Sequence, residues 1–339
     1  MRFRTAVVTS SLALALLFSS GVARAQYTNT KLVSNQEKTA KFVDPLLVNA
    51  WGLVSSPTSP WWVSDNASGW ATLYQGDGAK VPLNVLIPTA GGDGPGTPTG
   101  VVFNGTSDFK ISGSPAIFIF ATLDGTISGW NPAVNPNAAV VAVPSTGAMY
   151  TALASSSKAS GNFLFAADGN NNRVDIFDSN FKLVRSFTDS SIPSSFGVYG
   201  LRDFGGLVYV TYASVTNGSG GFIDIFGEDG TLLKRLTSGK PLNQPWGLAI
   251  APPNFGAFSN TLLVGNNSEA GTINAFNAVT GAFVGTLKNA NGDPISINLL
   301  WSLSFGSGTA ANGATNHLFY TAGADEYATG TFGVIAHQN

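Results

Sequence analysis

The chain has 339 residues, of which 44% are hydrophobic and only 11% charged, and it contains 40 glycines, 17 prolines and no cysteine. This composition excludes intrinsic disorder, which goes with low hydrophobicity and high net charge, and it excludes disulfide bonds. The formal net charge is −2, and no long run of Lys or Arg occurs. Nucleic acid is therefore not an expected partner, because phosphates attract a basic surface.

The first 25 residues have the pattern of a secretory signal peptide. Arg2 and Arg4 precede an apolar segment at 6–18, and Ala23-Arg24-Ala25 forms a small-x-small cleavage site. The apolar segment is too short for a stable membrane anchor. We therefore predict a secreted or periplasmic mature chain that starts at Gln26, carries 14 basic and 19 acidic residues, and has no transmembrane segment.

A short motif recurs six times along the mature chain. It consists of an aromatic or small residue, then Gly or another small residue, then an aliphatic residue, and its central positions are 52, 100, 152, 200, 247 and 302. The spacings run from 47 to 55 residues. Six repeats of this length predict a β-propeller, in which each repeat forms one blade.

Each repeat contains further strand-like runs in the same order. After the motif, short runs rich in β-branched and aromatic residues occur at 61–64, 116–121, 163–167, 207–212, 261–264 and 317–321. A third run follows in every repeat, and a fourth in the first five. The sixth repeat lacks a fourth run, and Tyr27 to Ser34 precedes the first repeat without a partner. We predict an all-β, six-bladed propeller of four-stranded antiparallel blades, spanning 26–339 as a single domain, with this N-terminal strand completing the last blade.

The motif residues suggest how the blades meet. We expect the central glycines to let the first strands approach closely near the axis, where a side chain would clash. Trp51, Trp246 and Trp301 occupy equivalent positions beside the central residue. We expect them to pack between blades as part of the core, and stacking on a sugar is the alternative.

Several stretches carry a resemblance to a known family. They are Asp44 to Gly52, Pro98 to Asn104, Gly125 to Trp130 and Pro245 to Asn266. Through them the chain resembles exported bacterial β-propeller proteins of unknown function, some of which carry a C-terminal sorting tail. More distantly the repeat is similar to NHL-type blades and the calcium-dependent lactonases. The resemblance implies a fold and an exported location but no catalytic residue.

Polar residues recur in the loops that gather at one mouth of a propeller channel, where ligands usually bind. These loops join second to third strands or lead into first strands. The candidate ligand-binding residues at this channel mouth are Asn49, Asp65, Asn66, Asp124, Asp168, Asn170, Tyr199, Gln244, Asn266, Glu269, Asn298, Asp325 and Glu326. Asp and Asn also favour tight turns, because their side chains bond the local backbone, so a purely structural role is the alternative.

The chemistry of these residues is that of an oxygen-rich site. Carboxylates and amide carbonyls suit calcium or a polyol. Calcium is therefore the one cofactor that the sequence suggests, and no residue is assigned as a metal ligand. A lactonase-like site implies a carboxylate where an innermost strand begins, but those positions are Asn49, Pro98, Met149, Val198, Gln244 and Asn298. Two histidines, no cysteine and no G-x-S-x-G motif disfavour a zinc site and a Ser-His-Asp triad.

These observations favour a non-enzymatic binding or scaffold module that uses one rim of the channel. Its partner is expected to be a small molecule, a glycan or a protein. The alternative is a calcium-supported, lactonase-like hydrolase or lyase acting at the channel mouth. No catalytic residue is assigned under either hypothesis.

Overall fold

The structure is a computed structural model that describes residues 26–145, 147–158, 160–216 and 218–338. The predicted signal peptide, 1–25, lies outside the described residues, and the start of the mature chain at Gln26 remains a prediction. Among the described residues, no helix has the length and apolarity needed to cross a membrane.

Strands are almost the only regular secondary structure in the described chain. It starts with β1 (Tyr27–Ser34) and β2 (Phe42–Val43). Blade one contains β3 (Ala50–Val54), β4 (Trp61–Asp65), β5 (Trp70–Tyr74) and β6 (Lys80–Leu86). Blade two contains β7 (Pro98–Phe103), the short β8 (Lys110–Ile111) and β9 (Ser114–Pro115), then β10 (Phe118–Thr122), β11 (Ile127–Trp130) and β12 (Val140–Val143).

The remaining blades repeat this order. Blade three contains β13 (Tyr150–Lys158), β14 (Gly161–Asp168), β15 (Arg173–Phe177) and β16 (Leu183–Phe187). Blade four contains β17 (Phe196–Asp203), β18 (Leu207–Ser214), β19 (Phe222–Gly227) and β20 (Leu232–Ser238). Blade five contains β21 (Pro245–Ile250), a 3₁₀ turn (Gly256–Phe258), β22 (Thr261–Asn266), β23 (Ile273–Asn277) and β24 (Phe283–Thr286). Blade six contains β25 (Leu300–Phe305), β26 (His317–Ala322) and β27 (Thr331–His337).

The strand pairing confirms the predicted six-bladed propeller and its closure. Five blades are four-stranded antiparallel sheets, and in the sixth the order is β2-β1-β27-β26-β25. The N-terminal β1 pairs antiparallel with β27, with Thr30 opposite Val334. The short β2 adds a parallel pair outside β1. The first and last segments are thus joined in one blade, which protects an edge that would otherwise be unpaired.

Aromatic and aliphatic side chains fill the spaces between blades. Trp61 is fully buried, and its ring lies 4.8 Å from that of Phe319, joining blade one to blade six. Its indole nitrogen donates to the carbonyl oxygen of Asn312 at 3.0 Å. Burying an aromatic side chain of this size contributes roughly 2–3 kcal/mol relative to exposure. Such contacts hold the inner strands rigidly around the axis.

The central glycines of the motif allow close approach, as predicted. A Cβ at Gly52 would lie 2.2 Å from the carbonyl oxygen of Thr99, and one at Gly247 would lie 2.4 Å from that of Trp301. In both cases the obstructing atom belongs to the first strand of the next blade. Glycine is therefore needed where adjacent first strands meet side by side.

The three tryptophans are part of the buried core, as predicted, but their predicted orientation is wrong. The rings of Trp51 and Trp301 stack with centroids 3.5 Å apart, and Trp246 lies edge-on to both. The indole nitrogen of Trp51 donates to the carbonyl oxygen of Thr151 at 3.1 Å, from blade one to blade three. Rings from blades one, five and six that also reach blade three can meet only at the axis. These side chains therefore fill the channel and do not pack between blades.

A bulge in the first strands explains the difference. The pairing of first and second strands slips at the motif in all six blades, for example between Ala50 and Leu53 and between Leu300 and Leu303. A bulge re-aims side chains, so simple alternation along the strand does not predict which way the aromatic residue points.

Candidate functional site

An aromatic layer closes the central channel. It consists of Trp51, Trp246, Trp301 and Tyr199, whose ring lies 5.9 Å from that of Trp301. The three indoles are at most 8% exposed. The nitrogen of Trp301 donates to Asn49 Oδ1 at 2.9 Å, which fixes the ring at the start of blade one. The layer separates the residues that precede the motif from those that follow it.

A large cavity lies at the mouth of the channel on the side of the residues that precede the motif. This mouth cavity has a volume of about 1140 Å³. Blades four, five and six supply its walls, which are formed by Tyr199, Asn243, Gln244, Asn267, Ser268, Glu269, Ala270, Asn298, Leu299, Asp325, Glu326 and Tyr327. Every charged residue in this lining is an acid. The cavity therefore combines negative charge, side-chain amides and two phenols.

The turn between β26 and β27 brings two of the carboxylates to the cavity in a strained conformation. Asp325, Glu326 and Tyr327 all have positive φ, at 51°, 53° and 71°. Three consecutive non-glycine residues in the left-handed region are costly, and strained residues of this kind cluster at ligand sites. Leu299, in the loop leading into β25, also has a positive φ of 48°. Glycine would relieve the strain at these four positions, yet each of them carries a side chain.

Tyrosines and a buried amide form the floor of the mouth cavity. The hydroxyl of Tyr199 donates to Asn267 Oδ1 at 3.0 Å, and Asn267 Nδ2 donates to the carbonyl oxygen of Leu300 at 3.1 Å. Burial raises the pKa of Tyr199 well above its usual range, and the neighbouring Tyr327 adds to the effect. Burial also raises the pKa of Tyr327. Both phenols are therefore neutral at physiological pH.

Six of the thirteen residues predicted from the sequence line this cavity. They are Tyr199, Gln244, Glu269, Asn298, Asp325 and Glu326. The structure thus brings together candidates from blades four to six. The remaining seven lie elsewhere, and most of their polar groups are used within the protein.

Asn49 and Asn66 form a buried pair at the start of blade one. Asn49 Nδ2 donates to Asn66 Oδ1 at 3.0 Å, and Asn66 Nδ2 donates to the carbonyl oxygen of Pro98 at 3.1 Å. Asn49 Oδ1 already accepts from Trp301. Asn266 is also buried, and it accepts from the backbone nitrogen of Asn243 at 3.0 Å. These amides tie loops together.

Asp124 and Asp168 with its neighbour Asn170 hold their own turns. Asp124 accepts from Thr122 and Thr126 within the turn, and from the backbone nitrogen of Ala90 at 2.8 Å. Asp168 is fully buried. It accepts from the backbone nitrogens of Met149, Asn170 and Asn171 at 3.1 to 3.2 Å. Asn170 Nδ2 donates to the carbonyl oxygen of Gly147 at 2.8 Å. The hydrogen bonds of these three residues therefore agree with the purely structural role that was the alternative to ligand binding.

Asp65 lies inside blade one and does not line the mouth cavity. It is fully buried, and neither carboxyl oxygen has a hydrogen-bond partner among the described residues. Burial raises the pKa of Asp65 well above its usual range, while the neighbouring Thr72 opposes the effect, Asp44 adds to it and Lys80 opposes it. Asp44 itself accepts from Lys80 Nζ at 2.6 Å and from the Tyr74 hydroxyl at 2.6 Å.

Sequence reasoning missed six residues of the lining. These are Asn243, Asn267, Ser268, Ala270, Leu299 and Tyr327. Adjacency to predicted residues was the available signal, since Tyr327 follows Asp325 and Glu326, and Asn267 follows Asn266. The left-handed backbone conformation of Leu299 could not be predicted from the sequence.

The described residues give no support to a metal centre. They contain no group of three or more His, Asp or Glu side chains arranged to hold a metal ion. The two histidines, His317 and His337, lie on β26 and β27, and neither lines the mouth cavity. The three carboxylates of the mouth cavity therefore do not form such a group among the described residues.

Comparison with known proteins shows that the chain is similar to uncharacterised viral proteins. No family model matches it. An uncharacterised protein of Acanthamoeba polyphaga mimivirus is 29% identical over 325 residues, covering 90% of this chain and 78% of that protein. A second uncharacterised protein of the same virus is 30% identical over 290 residues, covering 79% of this chain and 75% of that protein. The chain belongs to the family of these mimivirus proteins. The expected membership of an exported bacterial family is wrong, because these relatives are viral.

Solved structures with low sequence identity share the fold. A glucose dehydrogenase is 12% identical, with a TM-score of 0.58 over 92% of this chain and 100% of that chain. A streptogramin B lyase is 9% identical, with a TM-score of 0.54 over 92% and 97% of the two chains. The likeness to NHL-type propellers holds at this level. At such identities it concerns the fold alone, since one propeller fold carries many functions.

Proposed function

We propose that this protein is a ligand-binding β-propeller whose mouth cavity holds a small, hydroxylated molecule that carries a positive charge. The observation that carries the proposal is the lining of the mouth cavity. Glu269, Asp325 and Glu326 supply three carboxylates, and no Lys or Arg is among the lining residues. Like charges converging on one concave surface favour a cationic ligand, because the field is focused there.

The aromatic residues supply a surface for the body of the ligand. Tyr327 is 42% exposed, and its ring lies 5.9 Å from the buried ring of Trp301, which supports it from behind. An exposed phenol on a rigid support can stack on a flat sugar face. It also attracts a cation over the ring, an effect of about 0.5–2 kcal/mol. Aromatic surface and negative charge thus lie in one cavity.

Side-chain amides supply the hydrogen bonds that hydroxyl groups require. Asn243, Gln244 and Asn298 line the cavity from loops leading into β21 and β25. Gln244 is held by its Nε2, which donates to the carbonyl oxygen of Ser214 at 3.1 Å. Its carbonyl oxygen is left for a ligand. The cavity volume of about 1140 Å³ lies just above the roughly 300–1,000 Å³ of typical small-molecule sites, so the cavity can hold a small molecule or the end of a glycan.

Paired probes that differ only in charge test the proposal. Calorimetric titration at pH 6 compares glucosamine with glucose, which has the same ring without the ammonium group. We expect glucosamine to bind at least tenfold more tightly, which corresponds to about 1.4 kcal/mol. Equal affinity for the two sugars, or no binding of either at millimolar concentration, would contradict the proposal.

Substitutions in the strained turn locate the binding. Asp325→Asn and Glu326→Gln each remove one charge from the cavity and should weaken glucosamine binding by about 3- to 10-fold. The matched control is Asp229→Asn, which removes a carboxylate in the exposed turn between β19 and β20. Its affinity should equal that of the unmodified protein. If the control and the turn variants lose affinity equally, the site lies elsewhere.

We further propose that this binding module is exported. The support is the signal-peptide pattern in residues 1–25. N-terminal sequencing of protein secreted by an expressing cell should start at Gln26. Retention of Met1 in all of the recovered protein would reject export by this route.

A further inference from the structure

A second cavity lies on the axis, on the opposite side of the aromatic layer from the mouth cavity. This axial cavity has a volume of about 200 Å³ and is lined by the first strands of all six blades. Polar and apolar groups contribute about equally to its walls, and the residues that supply the apolar part include Leu53, Val54, Val101, Leu153, Leu201, Leu248 and Leu303. This apolar part suits a short hydrocarbon group.

Of the residues that the structure describes, Arg202 is the only basic one that lines the axial cavity. It stands two positions after the central residue of the motif. The equivalent residues in the other five blades are uncharged: Val54, Val102, Ala154, Ala249 and Ser304. The repeat thus breaks its pattern once to place a guanidinium on the axis.

The guanidinium of Arg202 is only partly used by the protein. Its Nη1 donates to the carbonyl oxygen of Leu303 at 2.8 Å, and its Nη2 contacts Ser304 Oγ at 3.3 Å. Among the described residues it has no ion pair. A guanidinium has five N–H donors, so donors remain for a ligand. Burial lowers the pKa of Arg202, as expected for a cation withdrawn from water without a counter-ion.

Within the part of the chain that the structure describes, a second donor without a partner belongs to Trp246, a residue that lines the same cavity. Trp246 is 8% exposed, and its indole nitrogen has no hydrogen-bond partner among the described residues. Leaving a buried donor unpaired costs about 1–3 kcal/mol. Both Arg202 and Trp246 therefore have hydrogen-bonding capacity that the protein does not satisfy.

The one carboxylate in the lining does not neutralise Arg202. Asp203 accepts from the backbone nitrogen of Gly206 at 3.0 Å, at the end of β17. Adjacent residues of a strand point to opposite sides. Lys158 and Glu228 are the charged groups that influence Asp203. Among the residues that the structure describes, the charge on Arg202 thus has no counter-ion.

We propose that the axial cavity binds the carboxylate of a short aliphatic acid. The free donors of Arg202 would hold the carboxylate, a geometry for which the guanidinium fork is well suited. The apolar strand residues would enclose the hydrocarbon chain. This site is separate from the mouth cavity, so neither proposal depends on the other.

Thermal unfolding with matched probes tests this site. At equal ionic strength, sodium butyrate should raise the melting temperature of the protein by about 2–4 °C once it exceeds its dissociation constant tenfold. Butyramide, which has the same shape without the charge, should produce no shift, and neither should sodium chloride. Butyrate should also change the tryptophan fluorescence, because Trp246 lines the cavity.

Variants assign the effect to Arg202. Arg202→Gln should abolish the butyrate shift, and Arg202→Lys, which keeps the charge but not the fork, should reduce it. The control Arg185→Gln removes a charge from the exposed strand β16 and should leave the shift intact. If Arg202→Gln does not fold, the comparison of butyrate with butyramide and the Arg202→Lys variant still decide.

Three results would overturn the assignment. The first is a butyrate shift no larger than that of butyramide. The second is an equal shift with chloride, which would indicate an inorganic anion site only. The third is an undiminished shift in both Arg202 variants.

Discussion

The two halves of the channel mouth use the same residue types for different purposes. In blades one to three, Asn49, Asn66, Asp124 and Asp168 are bonded to nearby backbone and side-chain groups. In blades five and six, Glu269, Asp325 and Glu326 line an open cavity. The two halves differ in whether nearby groups of the protein already form hydrogen bonds with these side chains. Residue type at a loop position therefore does not by itself indicate a ligand site.

The largest expected effect comes from a carboxylate of the structural half. Asp168→Ala removes the acceptor of three backbone nitrogens, those of Met149, Asn170 and Asn171. We expect the free energy of unfolding to fall by about 2–4 kcal/mol, because three backbone donors lose an acceptor that is itself buried. Denaturant unfolding measures this. The matched variant Glu269→Ala should change stability by less than about 0.5 kcal/mol.

Measurements of ligand affinity should give the opposite order for the Asp168 and Glu269 variants. Asp168→Ala should leave the affinity for glucosamine unchanged wherever the protein is folded, while Glu269→Ala should lower it. The same stability loss in both variants would remove the distinction between the two halves.

An intermediate effect is expected from Asp65, which belongs to neither group. Burial raises the pKa of this carboxyl in the folded state above its value in the unfolded chain. The folded state therefore holds the proton more tightly, and this contribution to stability is lost as pH rises above about 4. Asp65→Asn should raise the free energy of unfolding at pH 7 by about 1–2 kcal/mol.

The pH dependence checks the cause of that effect. Stability curves between pH 4 and pH 8 should be flatter for Asp65→Asn than for the unmodified protein. Parallel curves, or a destabilised variant, would show that Asp65 has a compensating partner.

The smallest effect is expected in the strained turn. Glu326→Gly places glycine at a φ of 53° and should stabilise the protein by about 0.5–1 kcal/mol, because glycine adopts this region without strain. Glucosamine affinity should fall at the same time. Asp325→Asn, which keeps a side chain, serves as the control and should gain less stability. A loss of stability in Glu326→Gly would indicate that the side chain supports the turn.

The sequence predicted the fold more completely than the site. Six motif copies predicted six blades, and the unpartnered segment Tyr27 to Ser34 predicted the closing strand, because a strand without a partner must find one. The orientation of Trp51, Trp246 and Trp301 was not predictable by alternation, since a bulge lies at each motif copy.

The site could be predicted only as a set of candidates. The loop positions of Asp325 and Asp168 are equivalent in the repeat, and nothing in the residues themselves says which carboxylate meets backbone donors. That outcome depends on local turn geometry. Arg202 did have a sequence signal, because it is the one charged residue at its position among six repeats, but its place on the axis required the structure.

The most direct test is a crystal structure of the protein with glucosamine bound. The account predicts the sugar ring in the mouth cavity against Tyr327, with its ammonium group about 3 Å from a carboxylate oxygen of Glu269, Asp325 or Glu326. A sugar bound instead over blades one to three, or on the opposite rim, would contradict it.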